Sequence, residues 1–393
     1  MAKHNNFLLG IVGVVFVLTS VSFCQTIDLE NAQLTKIADG FEFTEGPVWM
    51  DGGLLFSDID GNKIYRWDDS TGISVFLDPS GSCNGLAIDS SGNLILAHHY
   101  SRKVTKIDSA GNQITLASEY DGKKLNSPND LVVKSDGSIF FTDPNFGVSN
   151  NERELDFCGI YRISTTGELQ LLDNSLTLPN GITFSPDESK LYVNDSQIHT
   201  IYVWDVVDDT LIANKREFVE IPTYGYADGM KVDELGNVYS TVSASGLWVF
   251  DDEGSLIKNI SINGGTTNCN WGGEDGNTLF ITDGDAVYIL KENVTGVDEG
   301  HGYLIDDSFK LYCNYPNPFN PSTKIEFSIP RASNVSIVIY DIMGRKIRTL
   351  MDEYKAAGYY SMDFHAGNLA SGTYFYRMTA EGYSMTRKML LLE

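Results

Sequence analysis

Asn84-Gly85-Leu86-Ala87-Ile88-Asp89-Ser90-Ser91-Gly92-Asn93-Leu94-Ile95-Leu96-Ala97 sets a polar residue and a glycine ahead of a short apolar run, then a turn, then a second run. The turn is built from Asp, Ser, Gly and Asn, which favour tight hairpins because Gly and Asn accept positive φ. Two antiparallel strands follow from that pattern. The opening recurs at Glu45-Gly46-Pro47-Val48-Trp49, Asn129-Asp130-Leu131-Val132-Val133 and Asn180-Gly181-Ile182-Thr183-Phe184. It recurs again at Asp228-Gly229-Met230-Lys231-Val232-Asp233 and Asn268-Cys269-Asn270-Trp271-Gly272. Successive leading residues lie 39, 45, 51, 48 and 40 positions apart. Repeats of that period, each carrying several short strands, predict an all-β chain folded as a six-bladed β-propeller. Residues 34–43 precede the first motif and are expected to close the ring against the last blade.

If the leading residue holds one place in every blade, Glu45, Asn84, Asn129, Asn180, Asp228 and Asn268 converge on a central channel. Two carboxylates and four amides make an oxygen-rich ring, the kind of donor set a hard cation binds. A single Asn or Asp before Gly is usually only a turn former. Repetition at one blade position is what gives these residues a functional reading.

The chain has 393 residues and a net charge of −25, unevenly divided. Residues 1–304 hold 18 Lys and Arg against 44 Asp and Glu, whereas residues 305–393 hold 10 against 9. The break near 305 predicts a domain boundary, with residues 25–304 as the propeller and 305–393 as a second unit. The acidic part lacks the positive footprint that nucleic-acid binding requires. At the start of the chain, Lys3 and His4 precede an apolar stretch and then Thr19-Ser20-Val21-Ser22-Phe23-Cys24-Gln25. This reads as a signal peptide over residues 1–24, cut before Gln25. Cys83, Cys158, Cys269 and Cys313 show no CxxC spacing, which argues against zinc and for buried free thiols.

The repeat is lost beyond about residue 311. Asn314-Tyr315-Pro316-Asn317-Pro318-Phe319-Asn320-Pro321-Ser322-Thr323 cannot be helix. Alternating runs at 323–329, 335–341, 358–364, 372–378 and 384–392 predict a small immunoglobulin-like β-sandwich.

Leu125-Asn126-Ser127-Pro128-Asn129-Asp130, Phe141-Thr142-Asp143-Pro144, Leu178-Pro179-Asn180-Gly181, Thr267-Asn268-Cys269 and Glu45-Gly46-Pro47 resemble the gluconolactonase/regucalcin (senescence-marker-protein) family. The resemblance spans roughly residues 34–295. It implies a six-bladed propeller with one divalent metal ion, Ca²⁺ before Zn²⁺, Mg²⁺ or Mn²⁺, and hydrolysis of a small-molecule lactone. Carried over by motif, it implies Glu45, Asn180 and Asp228 as metal ligands and Asn129 as a further ligand or substrate contact. The C-terminal segment resembles the type IX secretion sorting domain. Its entry at 314–323 carries the likeness, with Val338-Ile339-Tyr340-Asp341-Ile342-Met343-Gly344-Arg345 and Leu369-Ala370-Ser371-Gly372-Thr373-Tyr374. That resemblance implies the type IX machinery as partner and an extracellular or outer-membrane surface location.

The residue types suit the same chemistry. Glu45 and Asp228 would neutralise a divalent ion, and amide oxygens would add ligands without excess charge. Asp228 can serve as both ligand and general base. Asn84, Asn268 and His99 are candidate substrate contacts, and Trp49, Tyr226 and Trp271 could line a sugar face. Asp143 reads better as a turn organiser than as an acid. No G-x-S-x-G nucleophile is present, which disfavours a covalent serine mechanism. Two rival functions remain at this point: a phosphotriester or aryl ester hydrolase on the same metal site, and a non-catalytic propeller that binds a glycan or protein.

Overall fold

The computed structural model describes residues 25–208, 210–222, 225–274, 276–292, 309–312, 314, 317 and 319–392. The signal peptide and its cleavage point, the break near 305 and Cys313 lie outside the described residues. Six four-stranded antiparallel sheets form the blades. Their inner strands are Thr44–Met50, Cys83–Ile88, Leu131–Val133, Pro179–Phe184, Ala227–Val232 and Thr266–Gly272. Each packs against the inner strands of the two flanking blades, and the last meets the first, so the ring is closed. In the sixth blade the outermost strand is Ala32–Asp39, paired antiparallel with Ala286–Glu292. The N-terminal strand thus seals the circle, as expected for residues 34–43.

The second strands are Gly53–Asp58, Leu94–His98, Ile139–Asp143, Lys190–Asp195, Val238–Val242 and Thr278–Asp283. Residues such as Leu54, Phe56, Leu96, Phe140, Phe141, Val193 and Phe280 are fully buried there, because a blade interior is covered on both faces. Outer strands are more exposed, as at Val75 and Leu256. Four second strands end on Asp58, Asp143, Asp195 and Asp283. Asp58 accepts from Phe43 N at 2.9 Å, Asp143 from Ser127 N at 2.7 Å, and Asp195 from Thr177 N at 2.7 Å. Each of these three carboxylates holds the segment that feeds its own inner strand. Asp143 is therefore a turn organiser, and burial pushes its carboxyl up to about 7.

The C-terminal segment pairs Lys310–Leu311, Ser322–Ile329 and Gly358–His365 in one sheet. Lys346–Lys355, Ser333–Asp341, Gly372–Ala380 and Tyr383–Leu391 form the other. Ile325, Phe327, Ile337, Ile339, Tyr376 and Met389 fill the space between them. Strand Lys346–Lys355 was not expected. It is an edge strand with few buried side chains, so it carries no clear alternation.

Candidate metal and substrate site

In four blades the polar-small motif falls where the inner strand breaks step with the second. Pairing runs Glu45↔Ser57 then Val48↔Leu55, Cys83↔His98 then Leu86↔Leu96, and Pro179↔Asp195 then Ile182↔Val193. In the fifth blade it runs Ala227↔Val242 then Met230↔Ser240. A bulge of this kind turns a side chain out of the ladder, here into the channel. In the sixth blade the skip lies between Thr266↔Asp283 and Asn268↔Thr282. The residue in register with Glu45, Asn84, Asn180 and Asp228 is therefore Thr267, and the sixth motif sits one position earlier than sequence spacing suggested.

That register also explains the small residue. The positions following the ring are Gly46, Gly85, Asp130, Gly181, Gly229 and Asn268. A Cβ at Gly46 would strike the Asn84 backbone, at Gly85 the Asn129 backbone, at Gly181 the Asp228 backbone, and at Gly229 the Asn268 side chain. Inner strands meet too closely there for side chains in all six blades. Four glycines leave room for two, Asp130 and Asn268, each only 2% exposed.

A cavity of about 380 Å³ collects Glu45, Asn84, Asn129, Asn180, Asp228, Thr267 and His99. Phe43, Tyr100, Phe146 and Tyr226 stand at its mouth, exposed by 38–54%. Six of the seven residues singled out from the sequence are thus brought together. Asn268 is not among the lining residues. Trp49 and Trp271 line a separate opening at the other end of the inner strands, with Lys231 and Asn270. Of the three aromatics offered as a sugar face, only Tyr226 reaches this cavity.

The amide oxygens of Asn84, Asn129 and Asn180 are buried and have no hydrogen-bond partner among the described residues. An orphaned buried acceptor costs on the order of 1–3 kcal/mol, and three around one cavity form a set waiting for a positive ligand. Glu45 Oε2 accepts from Gly46 N at 2.8 Å and from Asn268 Nδ2 at 2.9 Å. Burial, reinforced by the charge of Asp130, pushes the Glu45 carboxyl up to about 7. Asp228 accepts a hydrogen bond from the Asn180 side chain, and burial followed by the Glu45 charge holds its carboxyl well above the usual range. Two crowded carboxylates beside three unpartnered oxygens fit a divalent cation of the oxygen-seeking kind. Among the described residues no cluster of three or more His, Cys, Asp or Glu stands in metal-binding array, so the amides are needed to complete the donor set.

His99 lines the cavity with its Nδ1 unpartnered, and burial lowers its pKa to about 4. It is neutral at working pH and suited to hydrogen bonding. His98 points away, against Thr105 Oγ1 at 2.8 Å. Arg102 clamps backbone, donating to Leu125 O at 2.7 Å and Glu152 O at 3.1 Å. Cys83, Cys158 and Cys269 are buried free thiols. Sequence reading missed three things: Thr267 as the sixth ring residue, Phe43, Tyr100 and Phe146 beside Tyr226 at the mouth, and the buried carboxylate of Asp130 beneath the ring. The second-strand Thr282, whose Oγ1 receives Asn268 N at 3.0 Å, carries the register that separates Thr267 from Asn268.

Residues 43–284 match the family described as the SMP-30/gluconolactonase/LRE-like region, and residues 314–392 match the secretion system C-terminal sorting domain. The chain is 33% identical over 297 residues to the gluconolactonase of Zymomonas mobilis, covering 68% of this chain and 83% of that protein. It is 25% identical over 288 residues to pentonolactonase XacC of Haloferax volcanii, covering 70% and 94%. A solved gluconolactonase from Xanthomonas campestris superposes with a TM-score of 0.63 at 32% identity, covering 70% of this chain and 94% of that one. With its closed ring of six blades and its bulged polar ring, the chain belongs to the SMP-30/gluconolactonase/LRE-like family and carries a secretion sorting domain behind the propeller.

Proposed function

We propose that this protein is an exported, metal-dependent lactonase that opens sugar or aldonic-acid lactones. The observation that carries the reading is the convergence of Glu45 and Asp228 with the three unpartnered amide oxygens of Asn84, Asn129 and Asn180 in one cavity. The names of the relatives, gluconolactonase and pentonolactonase, support the substrate class. Glu45, Asn180, Asp228 and Asn129 would hold the ion, Ca²⁺ before Zn²⁺, Mg²⁺ or Mn²⁺. When bound, such an ion supplies Lewis-acid polarisation of the lactone carbonyl and charge to stabilise the oxyanion.

The chain's own residues supply the rest. Asn84 and His99 lie on the cavity wall as hydrogen-bonding groups for the lactone hydroxyls. Phe43, Tyr100, Phe146 and Tyr226 offer flat apolar faces to the C–H face of a sugar ring at the mouth. Asp228, partly open to the cavity, accepts the proton of the attacking water at its carboxylate. Water oxygen bonds to the carbonyl carbon, the ring C–O bond breaks, and the held proton passes to the departing ring oxygen. The product is a hydroxy acid.

For the rest of the chain we propose residues 25–304 as the hydrolase unit and 305–393 as the sorting unit. Removal of residues 1–24 and export through the type IX machinery would place it outside the cell. The test is hydrolysis by the exported protein across sugar lactones, aryl esters and phosphotriesters, before and after chelation and with Ca²⁺ restored. Lactone opening lost on chelation and regained with Ca²⁺ is expected. Undiminished turnover after chelation would overturn the metal, turnover only of phosphotriesters would overturn the substrate class, and glycan binding without hydrolysis would overturn the enzyme.

A further inference from the structure

Beneath the ring, the channel is filled by two side chains that the bulges place there, Asp130 and Asn268. Asn268 is held on three sides. Its backbone N donates to Thr282 Oγ1 at 3.0 Å, and its Oδ1 accepts from Cys269 N at 2.8 Å. That second bond fixes the amide orientation, so the NH₂ group must face the other way. There it donates to Glu45 Oε2 at 2.9 Å. Gly229 lies against the Asn268 side chain so closely that any Cβ would overlap it. The opposite neighbour of Glu45 Oε2 is Gly46 N, at 2.8 Å. One carboxylate oxygen of Glu45 is thereby pinned by two donors, and the side chain has a single orientation toward the cavity. Asp130 sits in the same layer, with Oδ1 bound to Leu131 N at 2.9 Å.

We infer that Asn268 is a positioning residue: from the layer below the ring it orients the Glu45 carboxylate toward the metal position, and it does not touch substrate. The inference rests on the metal-dependent reading of the site. It replaces the substrate contact that motif spacing suggested for Asn268. Partners of this kind behind a metal ligand are typically worth 10–100-fold in metal affinity or activity.

The test uses the full exported chain with Ca²⁺ alone as the probe in isothermal titration, and glucono-lactone for kcat and KM. In Asn268→Ala, Ca²⁺ affinity should fall about 10–100-fold, and at saturating Ca²⁺ kcat should drop while KM stays close to wild type. Gly229→Ala, which leaves Asn268 in place chemically but displaces its side chain, should reproduce both effects. Thermal melts of each variant without metal establish that it is folded. Where the alanine variant melts below assay temperature, Asn268→Ser serves, since its hydroxyl is too short to reach Glu45. A raised KM with unchanged Ca²⁺ affinity would make Asn268 a substrate contact and overturn the inference. If the wild type itself bound no Ca²⁺, the metal reading would fail. The inference would be overturned with it, whereas wild-type Ca²⁺ binding that Asn268→Ala leaves unchanged would overturn the inference alone.

Discussion

Asp228→Asn separates chemistry from stability. The substitution keeps the side-chain shape and one oxygen ligand, and it removes a negative charge and a proton acceptor. Glu45 is the less suited base, because its Oε2 is held by Gly46 N and Asn268 Nδ2 and its other oxygen is the one assigned to the ion. General-base catalysis is worth about 10²–10⁴-fold, equivalent to about 3–5 kcal/mol of barrier. Lactone hydrolysis at saturating Ca²⁺ should fall by that much. The metal-free protein should change in the opposite direction. Asp228 is crowded by Glu45 and Asp130, and all three carboxyls are pushed upward chiefly by burial. Removing one member relieves a cost on the order of 1–3 kcal/mol, so the apo melting temperature should rise by a few degrees. The assay pairs pH-stat hydrolysis with scanning calorimetry in chelator. Near-normal turnover with metal bound would refute Asp228 as base. A lower apo melting temperature would refute the crowding.

Three further outcomes follow from the same geometry. Gly181→Ala places a methyl against the Asp228 carbonyl and should destabilise by about 1–3 kcal/mol, read from the urea midpoint, with activity reduced although Gly181 is not among the residues lining the site cavity. His98 is buried and its pKa is lowered to about 4 from 6.5, mainly by burial. The unfolded chain therefore takes the proton first, so the stabilisation is complete above pH 6.5 and is lost as pH falls toward 4. About 3 kcal/mol should go over that interval. His98→Asn should reduce the loss of urea midpoint between pH 7 and 5 relative to wild type, the remainder being set by His99, which is lowered to about 4 and acts in the same sense, and by Glu45 and Asp143, whose raised values act in the opposite sense. A chain ending at Ser308 should remain folded and active yet fail to be exported. Pairs such as Lys388–Glu234 at 3.3 Å and Lys310–Asp28 at 3.2 Å are surface contacts worth about 0–1 kcal/mol each. Loss of turnover in that truncated chain would place part of the active unit beyond 308.

The blade count was legible because backbone crowding leaves a mark at fixed period. Wherever inner strands meet, a Cβ has no room, so Gly46, Gly85, Gly181 and Gly229 punctuate the chain behind a polar residue. Ring closure was legible for a related reason, since residues 34–43 carry a strand pattern with no partner of their own. The sixth ring residue was hidden because its glycine is missing. Asn268 occupies the position glycine holds elsewhere, and an Asn before Cys imitates the motif one step late. Only the pairing of Thr266 with Asp283 exposes the slip. Of the aromatic mouth only Tyr226 was legible, because Phe43 and Phe146 sit in or next to loops that share no period. Strand Lys346–Lys355 escaped because an edge strand is not obliged to alternate.

The channel shows how six similar blades yield one asymmetric site. Backbone geometry is repeated, with a bulge that aims one side chain inward and a neighbouring position that normally tolerates no side chain. Chemistry enters only through departures from the repeat. At the ring, two blades supply carboxylates, three supply amides, and the sixth supplies Thr267, whose hydroxyl is turned to Thr44 O at 2.7 Å and Thr282 Oγ1 at 2.8 Å. In the layer beneath, two blades replace glycine with Asp130 and Asn268. These departures are spatially coupled, since Asn268 donates to Glu45 across the junction between the last blade and the first. The last blade is itself completed at its outer edge by a noncovalent pairing, Ala32–Asp39 with Ala286–Glu292, so the residue that holds Glu45 of the first blade stands in a blade built from both ends of the propeller sequence.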